Sequence, residues 1–199
     1  MPIKLRIAAA LLASASPLPA YAAPVVFTGQ FSNDTPTPLP DASCAAGQVL
    51  VNFNPGNSTA AGTSNFGNFG PSQTHCISPG QPYAGTFSFA FGIGDTLFGT
   101  TTGFMTPTAI TGVVNSFNTY TVTGGTGQFA GASGVINGVG LLDRRPARPL
   151  NSLDLTGSLN LPVPEPATWA MMVVGFGLLG GALRRRGAAT NAVVLKPNF

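Results

Sequence analysis

Apolar residues follow two different patterns along this chain, and each predicts a different kind of structure. Between residues 83 and 161 they alternate with small or polar residues, as in Phe87-Ser88-Phe89-Ala90-Phe91, which is the period of a half-buried β-strand. Near the C-terminus they run without a charge over residues 167–183, which predicts a helix that is apolar on every face. The chain therefore divides into a β-rich body and a separate hydrophobic segment.

The body, residues 23–162, is predicted to form one all-β domain, either a sandwich or a small barrel. It is rich in glycine, threonine and phenylalanine and has almost no lysine or glutamate, a composition that favours strands over helices. We expect residues 24–82 to be loop-rich, with a long loop over 54–81, and residues 83–161 to hold the main strands. The predicted strands are 25–31, 49–53, 87–91, 96–105, 109–115, 117–123, 133–142 and 152–161.

The N-terminus has the order of a secretory signal peptide. Lys4 and Arg6 precede a short apolar run over 7–15, and Ala20-Tyr21-Ala22 supplies the small residues of a cleavage site. We predict that residues 1–22 are removed after Ala22, with Ala20 and Ala22 as the cleavage residues. A retained N-terminal anchor is the alternative, although the apolar run is too short to span a bilayer by itself.

The hydrophobic segment is predicted to be a single transmembrane helix over 167–183. Its 17 uncharged residues would extend roughly 25 Å, the short end of what a bilayer core requires. Arg184, Arg185 and Arg186 follow it directly and form a cytoplasmic stop, so residues 188–199 should be a cytoplasmic tail and the body should lie across the membrane. A helix buried in a protein core is the alternative interpretation.

The segment 163–187 resembles the PEP-CTERM sorting signal of Gram-negative bacteria, in the variant in which Trp-Ala follows the triplet. The matching residues are Pro164-Glu165-Pro166, then Trp169-Ala170, a glycine-bearing hydrophobic helix and the three arginines. The resemblance implies that exosortase, a membrane transpeptidase, recognises Pro164, Glu165, Pro166, Trp169 and Ala170, cleaves near the triplet, and leaves the body at the cell surface or outside the cell. A stiff proline-rich spacer without an enzyme is the alternative.

Charge excludes nucleic acid as a partner of the body. Residues 23–163 contain five aspartates and three arginines, which gives a net charge of −2. A surface that binds nucleic acid would need an excess of basic residues. The only basic cluster, residues 143–148, is short and broken by a proline. We interpret it as a solvated loop, with contact to an anionic polysaccharide as the alternative.

Cys44 and Cys76 are the only cysteines, and in an exported protein we expect them to form a disulfide. His75 is the only histidine and precedes Cys76. Adjacent residues of a strand point in opposite directions, which argues against a catalytic pair. With one histidine and scattered aspartates, we predict no catalytic residues, no metal site and no cofactor, so the protein is not expected to be an enzyme.

These features together predict an exported protein of the cell surface or extracellular matrix, linked to exopolysaccharide and biofilm. A small-molecule-binding or lyase-like β barrel is the main alternative, because residues 123–134 resemble a turn-plus-strand element of exported bacterial β proteins and, more distantly, of dirigent and allene-oxide-cyclase-like barrels. In that element Phe129 would pack the turn. Ice binding is a minor alternative, since Thr119, Thr121 and Thr123 would share one face of a strand.

Overall fold

The computed structural model describes residues 23–162 and 166–190. The predicted signal peptide with Ala20 and Ala22, the residues Pro164 and Glu165, and the end of the chain from residue 191 lie outside the described residues. The body, from Ala22 to Pro162, is one compact unit, and the C-terminal helix belongs to another. Each is described by itself.

The body is an antiparallel β-barrel, which confirms the predicted all-β class and selects the barrel over the sandwich. Its nine strands are β1 Val25–Asp34, β2 Val49–Phe53, β3 Ala61–Ser64, β4 Gly67–Ile77, β5 Tyr83–Phe91, β6 Asp95–Pro107, β7 Val113–Thr126, β8 Ser133–Asp143 and β9 Leu150–Asn160. Eight of them form the ring β1-β9-β8-β7-β6-β5-β4-β3, and the pairing of β4 with β5 closes it. The short strand β2 lies outside this ring and pairs with β4, as β3 does.

The prediction of a long loop over 54–81 is wrong, because β3 and β4 lie there. Every second residue of β4 is buried from Phe69 through Pro71 and Gln73 to His75, so the strand has the expected period of two. The period is hard to recognise because a proline, a glutamine and a histidine occupy inward positions. The predicted strand 109–115 is only partly correct, because residues 109–112 form a turn; residues 113–115 and the whole predicted strand 117–123 belong to one strand, β7.

Aromatic side chains fill the barrel interior and close one of its ends. Phe31, Phe89 and Tyr120 pack against one another near the middle, with ring centroids 5.3–6.5 Å apart. At the closed end a short 3-10 turn, Gly127–Phe129, carries the fully buried Phe129. Its ring lies 5.5 Å from that of Phe66 and 4.9 Å from that of Phe91. Phe129 therefore packs the turn, as predicted.

The hydrophobic segment forms a helix, α1, over Pro166–Thr190. Within the two described stretches, however, no helix is long and apolar enough to cross a membrane. The prediction of a transmembrane helix over 167–183 is therefore not confirmed.

Candidate functional site

The end of the barrel opposite Phe129 holds a cavity of about 500 Å³. Its wall is formed by the inner faces of the strands and by three connections, residues 35–48, 78–82 and 144–149. The surface of the wall is mostly apolar, although polar side chains contribute to it from several strands and from all three connections. The apolar side chains include Val49, Val51, Phe53, Ile77, Met105, Leu142 and Pro149, and the polar ones include Gln73, His75, Tyr83, Asn118, Arg144 and Asn151.

Strand register brings the polar side chains of the cavity together. His75 of β4 pairs with Gly85 of β5, and Gly103 of β6 lies between Tyr83 of β5 and Asn118 of β7. A Cβ atom at Gly103 would overlap the Tyr83 ring, so only glycine leaves room for the tyrosine at this point of the wall. The Tyr83 ring in turn stacks on His75 with centroids 4.4 Å apart.

Two chains of hydrogen bonds run through this buried polar cluster. In the first, the Tyr120 hydroxyl donates to Gln73 Oε1 at 3.3 Å, and Gln73 Nε2 lies 3.1 Å from His75 Nδ1. In the second, the Tyr83 hydroxyl donates to Asn118 Oδ1 at 2.6 Å, and Asn118 Nδ2 donates to Ser116 Oγ at 3.2 Å. These two series of hydrogen bonds hold His75 and Tyr83 in place, because each buried side chain forms a hydrogen bond with the next.

Burial keeps the titratable groups of this cluster uncharged. It lowers the pKa of His75 to about 4, because the charged imidazolium would lose its hydration. It raises the pKa of Tyr83 to about 12, and this effect of burial exceeds the opposite effect of the neighbouring Ser116 and Asn118 side chains. Burial and the neighbouring Tyr83 hold the pKa of Tyr120 well above its usual value of 10.0. Near neutral pH the cluster therefore presents hydrogen-bonding groups without charge.

The basic cluster at 143–148 lies at the open end and is mostly exposed, as predicted for a solvated loop. Two of its arginines are neutralised: Arg145 pairs with Asp143 at 2.6 Å, and Arg148 pairs with Asp34. Arg144 lines the cavity, with Nη2 2.9 Å from Met105 Sδ. Within the described residues it is the one charged side chain of the cavity wall.

The predicted disulfide between Cys44 and Cys76 is confirmed. It joins the β1–β2 connection to β4, with Cα atoms 5.6 Å apart. The same connection supplies Pro38 and Gly47 to the cavity wall, so the disulfide fixes one side of the opening. Cys76 is consumed by this bond while His75 lines the cavity, and the two residues do not form a catalytic pair.

Threonines form rows on the outer surface of the barrel. The predicted row on β7 is present, and its neighbours extend it across strands: Thr86, Thr100 and Thr121 lie side by side on β5, β6 and β7. Thr102 lies beside Thr119 in the next row. All five are exposed or partly exposed.

Within the described part of the chain no group of three or more His, Cys, Asp or Glu side chains could hold a metal ion.

Sequence reasoning missed most of the polar residues of the cavity. Gln73 lay in the segment predicted to be a loop, and Tyr83 and Asn118 carried no motif. The alternation from Phe69 to Ile77 was the signal that could have revealed β4. Among the predicted sorting residues, Pro166, Trp169, Ala170 and the arginines Arg184, Arg185 and Arg186 lie in α1, and their roles stay predictions.

Comparison with known proteins identifies the C-terminal segment and leaves the barrel unassigned. Residues 162–186 match the PEP-CTERM protein-sorting motif, which confirms the resemblance and covers Pro164 through Arg186. No curated protein and no solved structure matches the chain. The barrel must therefore be interpreted from its own geometry.

Proposed function

We propose that this protein, exported and processed by exosortase through its PEP-CTERM motif, binds a small apolar molecule at the cell surface or in the extracellular matrix. The sorting motif determines its delivery. The activity that we assign to the body depends on the barrel, whose cavity is the feature of the described residues best suited to a ligand.

The cavity carries this proposal. Its volume of about 500 Å³ falls within the range of small-molecule sites, which are mostly apolar with a few placed polar groups. The wall combines Val49, Phe53 and Ile77 with the polar pair His75 and Tyr83. Aromatic packing closes the other end of the barrel, so a ligand would enter through the open end.

We also propose that binding is not followed by catalysis. Within the described residues no carboxylate lines the cavity, and burial disfavours the charged forms of both His75 and Tyr83. General acid–base catalysis near neutral pH requires a group with a pKa close to that pH. A histidine with a pKa of about 4 and a tyrosine with a pKa of about 12 are both far from it.

An apolar fluorescent probe tests whether the cavity binds ligands. Prodan, a neutral naphthalene ketone whose emission shifts to the blue in apolar surroundings, should bind saturably to the protein purified from the producing cells. Val49→Trp should abolish binding by filling the cavity. Asn52→Trp places the same indole on the exposed outer side of β2 and should leave binding unchanged. Equal binding by both variants, or none by the wild type, would refute the proposal.

A role in the exopolysaccharide matrix is supported by the surface of the barrel. Its outer wall presents threonine hydroxyls in rows, and the paired arginines at the open end leave little free positive charge. Such a wall suits hydrogen bonding to a hydrated neutral polysaccharide better than electrostatic attraction. Deletion of the gene should reduce matrix mass, adhesion and flocculation, and complementation should restore them. Unchanged values would exclude this role.

Ice binding is a second candidate that the threonine rows favour, because regularly spaced hydroxyl and methyl groups can order water. Ice recrystallisation measured with the purified protein tests it directly. Thr121→Tyr, in the middle of a row, should remove inhibition, whereas Thr63→Tyr on the exposed side of β3 should not. If the wild-type protein does not inhibit ice recrystallisation, the threonine rows do not bind ice, and their hydroxyl groups only hydrate the outer wall of the barrel.

A further inference from the structure

The buried hydrogen-bond chain that ends at His75 determines which nitrogen of this imidazole carries the proton. The hydroxyl of Tyr120 is fully buried, and a buried hydroxyl needs an acceptor for its hydrogen. The acceptor is Gln73 Oε1, at 3.3 Å. The amide of Gln73 is therefore oriented with its oxygen towards Tyr120 and its NH2 group towards His75.

This orientation leaves one state for the ring. Gln73 Nε2 can only donate, so His75 Nδ1, 3.1 Å away, must accept. Desolvation keeps the imidazole neutral, and a neutral imidazole carries a single proton. The proton consequently resides on Nε2. The series of hydrogen bonds runs from the Tyr120 hydroxyl through the Gln73 amide to His75 Nδ1, and the Nε2–H group of His75 stands at its end.

The Nε2–H group of His75 has no partner among the described residues. The residue is only 7% exposed, yet it lines the cavity, so the free donor is available to a molecule bound there. The Nε2 atom keeps some accessible surface, so water can pair with its hydrogen, and a ligand that displaces this water must supply an acceptor in its place. Stacking on Tyr83 prevents the ring from turning away to find another partner.

The cavity wall also contains hydrogen-bond acceptors. Tyr83 uses its hydroxyl hydrogen for Asn118 and keeps lone pairs that can accept. Asn151 lines the cavity, and its buried Oδ1 has no hydrogen-bond partner in the described part of the chain. A ligand hydroxyl can donate to these acceptors, whereas a carboxylate has no hydrogen to donate, and Arg144, the one charged side chain of the wall within the described residues, is itself exposed.

We propose that His75 Nε2–H donates a hydrogen bond to an uncharged carbonyl or hydroxyl oxygen of an otherwise apolar ligand. This inference rests on the proposed binding function and adds the chemical class of the ligand and the residue that selects it. His75 is thereby a specificity-determining residue of the cavity.

A pair of probes of equal shape tests the assignment. Acetylnaphthalene has a carbonyl where isopropenylnaphthalene has a C=CH2 group, and each is titrated as a competitor of Prodan. The wild-type protein should bind the ketone about tenfold more tightly, a difference of about 1.4 kcal/mol. His75→Phe keeps a ring on Tyr83 but removes the donor, so this preference should disappear while the alkene still binds.

The outcomes separate the inference from the function that it rests on. If Prodan and both competitors bind but His75→Phe retains the preference for the ketone, the assignment to His75 is overturned and the donor lies elsewhere, with Arg144→Gln as the next variant. If no probe binds the wild-type protein, the proposed function itself fails. Tenfold loss of ketone preference in His75→Phe, with binding of the alkene retained, supports the assignment.

A measurement without substitution covers the case in which His75→Phe does not fold. Because His75 is the only histidine of the chain, ¹⁵N labelling of histidine yields the signals of one imidazole. We expect the neutral Nε2–H tautomer in the free protein and a shift of the Nε2 resonance on adding acetylnaphthalene, larger than with isopropenylnaphthalene. A protonated Nδ1, or equal shifts with both probes, would contradict the inference.

Discussion

His75 illustrates how burial changes the behaviour of a single residue. Its exposed fraction is 7%, and its pKa falls from 6.5 in a solvated chain to about 4 in the folded protein. As the pH falls, His75 therefore takes up a proton at a higher pH in the unfolded protein than in the folded protein. The histidine consequently favours the folded state at neutral pH and opposes it in acid.

The stability of the barrel should decrease as the pH is lowered from about 6.5 to about 4. The pKa of His75 is lower in the folded protein than in the unfolded one. Its contribution to the unfolding free energy is therefore complete above pH 6.5 and is lost progressively between pH 6.5 and pH 4. Below pH 4 this contribution does not change further. The shift corresponds to about 3 kcal/mol. Urea denaturation across this range measures it, and His75→Gln, which has no titrating group, should flatten the curve between these pH values.

Gly103 is a second position where one residue decides the geometry of the cavity. Alanine in place of glycine normally stabilises a strand, but a Cβ here overlaps the Tyr83 ring. We expect Gly103→Ala to destabilise the barrel by about 1–3 kcal/mol and to weaken Prodan binding by displacing Tyr83. Thr102→Ala, at the exposed neighbouring position, should change stability by no more than about 0.5 kcal/mol. A more stable Gly103→Ala variant would show that Tyr83 does not need this space.

At the scale of elements, the connection between β1 and β2 depends on the disulfide. Residues 35–48 carry no strand apart from the isolated bridge between Leu39 and Leu50, yet they supply part of the cavity wall. Cys44 is joined to Cys76 across 32 residues. A covalent link is an effective way to hold such a connection, because it contributes few apolar side chains to the core.

Removal of the disulfide should therefore affect both stability and binding. We expect the Cys44→Ser/Cys76→Ser double variant to lose roughly 3–4 kcal/mol of unfolding free energy and to bind Prodan more weakly. A reducing agent should have the same effect on the wild-type protein and none on the double variant. Unchanged Prodan affinity in the double variant would mean that the loop holds its place without the bond.

The strands show which elements could be read from local patterns. β5 was predictable because phenylalanine alternates with small residues from Phe87 to Phe91. β4 was missed in spite of its alternation, because its inward residues include Gln73 and His75, which are not apolar. These polar residues are buried only where the barrel provides hydrogen-bond partners for them, such as Tyr120 for Gln73, and that condition has no local signature.

At the scale of the whole molecule, the sorting motif and the barrel are separate units of one exported precursor. The barrel has its own core and a closed ring of strands. Cleavage between Pro162 and α1 would therefore leave every strand pairing of the body intact.

Intact-mass spectrometry of membrane, surface and medium fractions tests this processing. We expect a form that begins at Ala23 and ends near Pro164 to Pro166, found outside the membrane. Replacing Pro164, Glu165 and Pro166 by alanines should block the second cleavage and retain the protein in the membrane fraction. If the wild-type protein keeps Arg184 to Phe199 in every fraction, it is not cleaved at the motif.

The sequence by itself determined the all-β class, the disulfide between Cys44 and Cys76, and the sorting motif. Each depends on local chemistry: the period of apolar residues, the presence of only two cysteines, and a contiguous run of residues near the C-terminus. None of them required knowledge of which strands are neighbours.

Only the tertiary structure decided that the strands close into a barrel with a cavity. Closure requires β1 to pair with β9, so that Val25 lies opposite Leu159, and β4 to pair with both β3 and β5. The same pairings bring Gln73, His75 and Tyr120 into one hydrogen-bond chain. The physical reason is that ring closure and the burial of polar groups depend on contacts between residues far apart in the chain, and the local sequence does not specify these contacts.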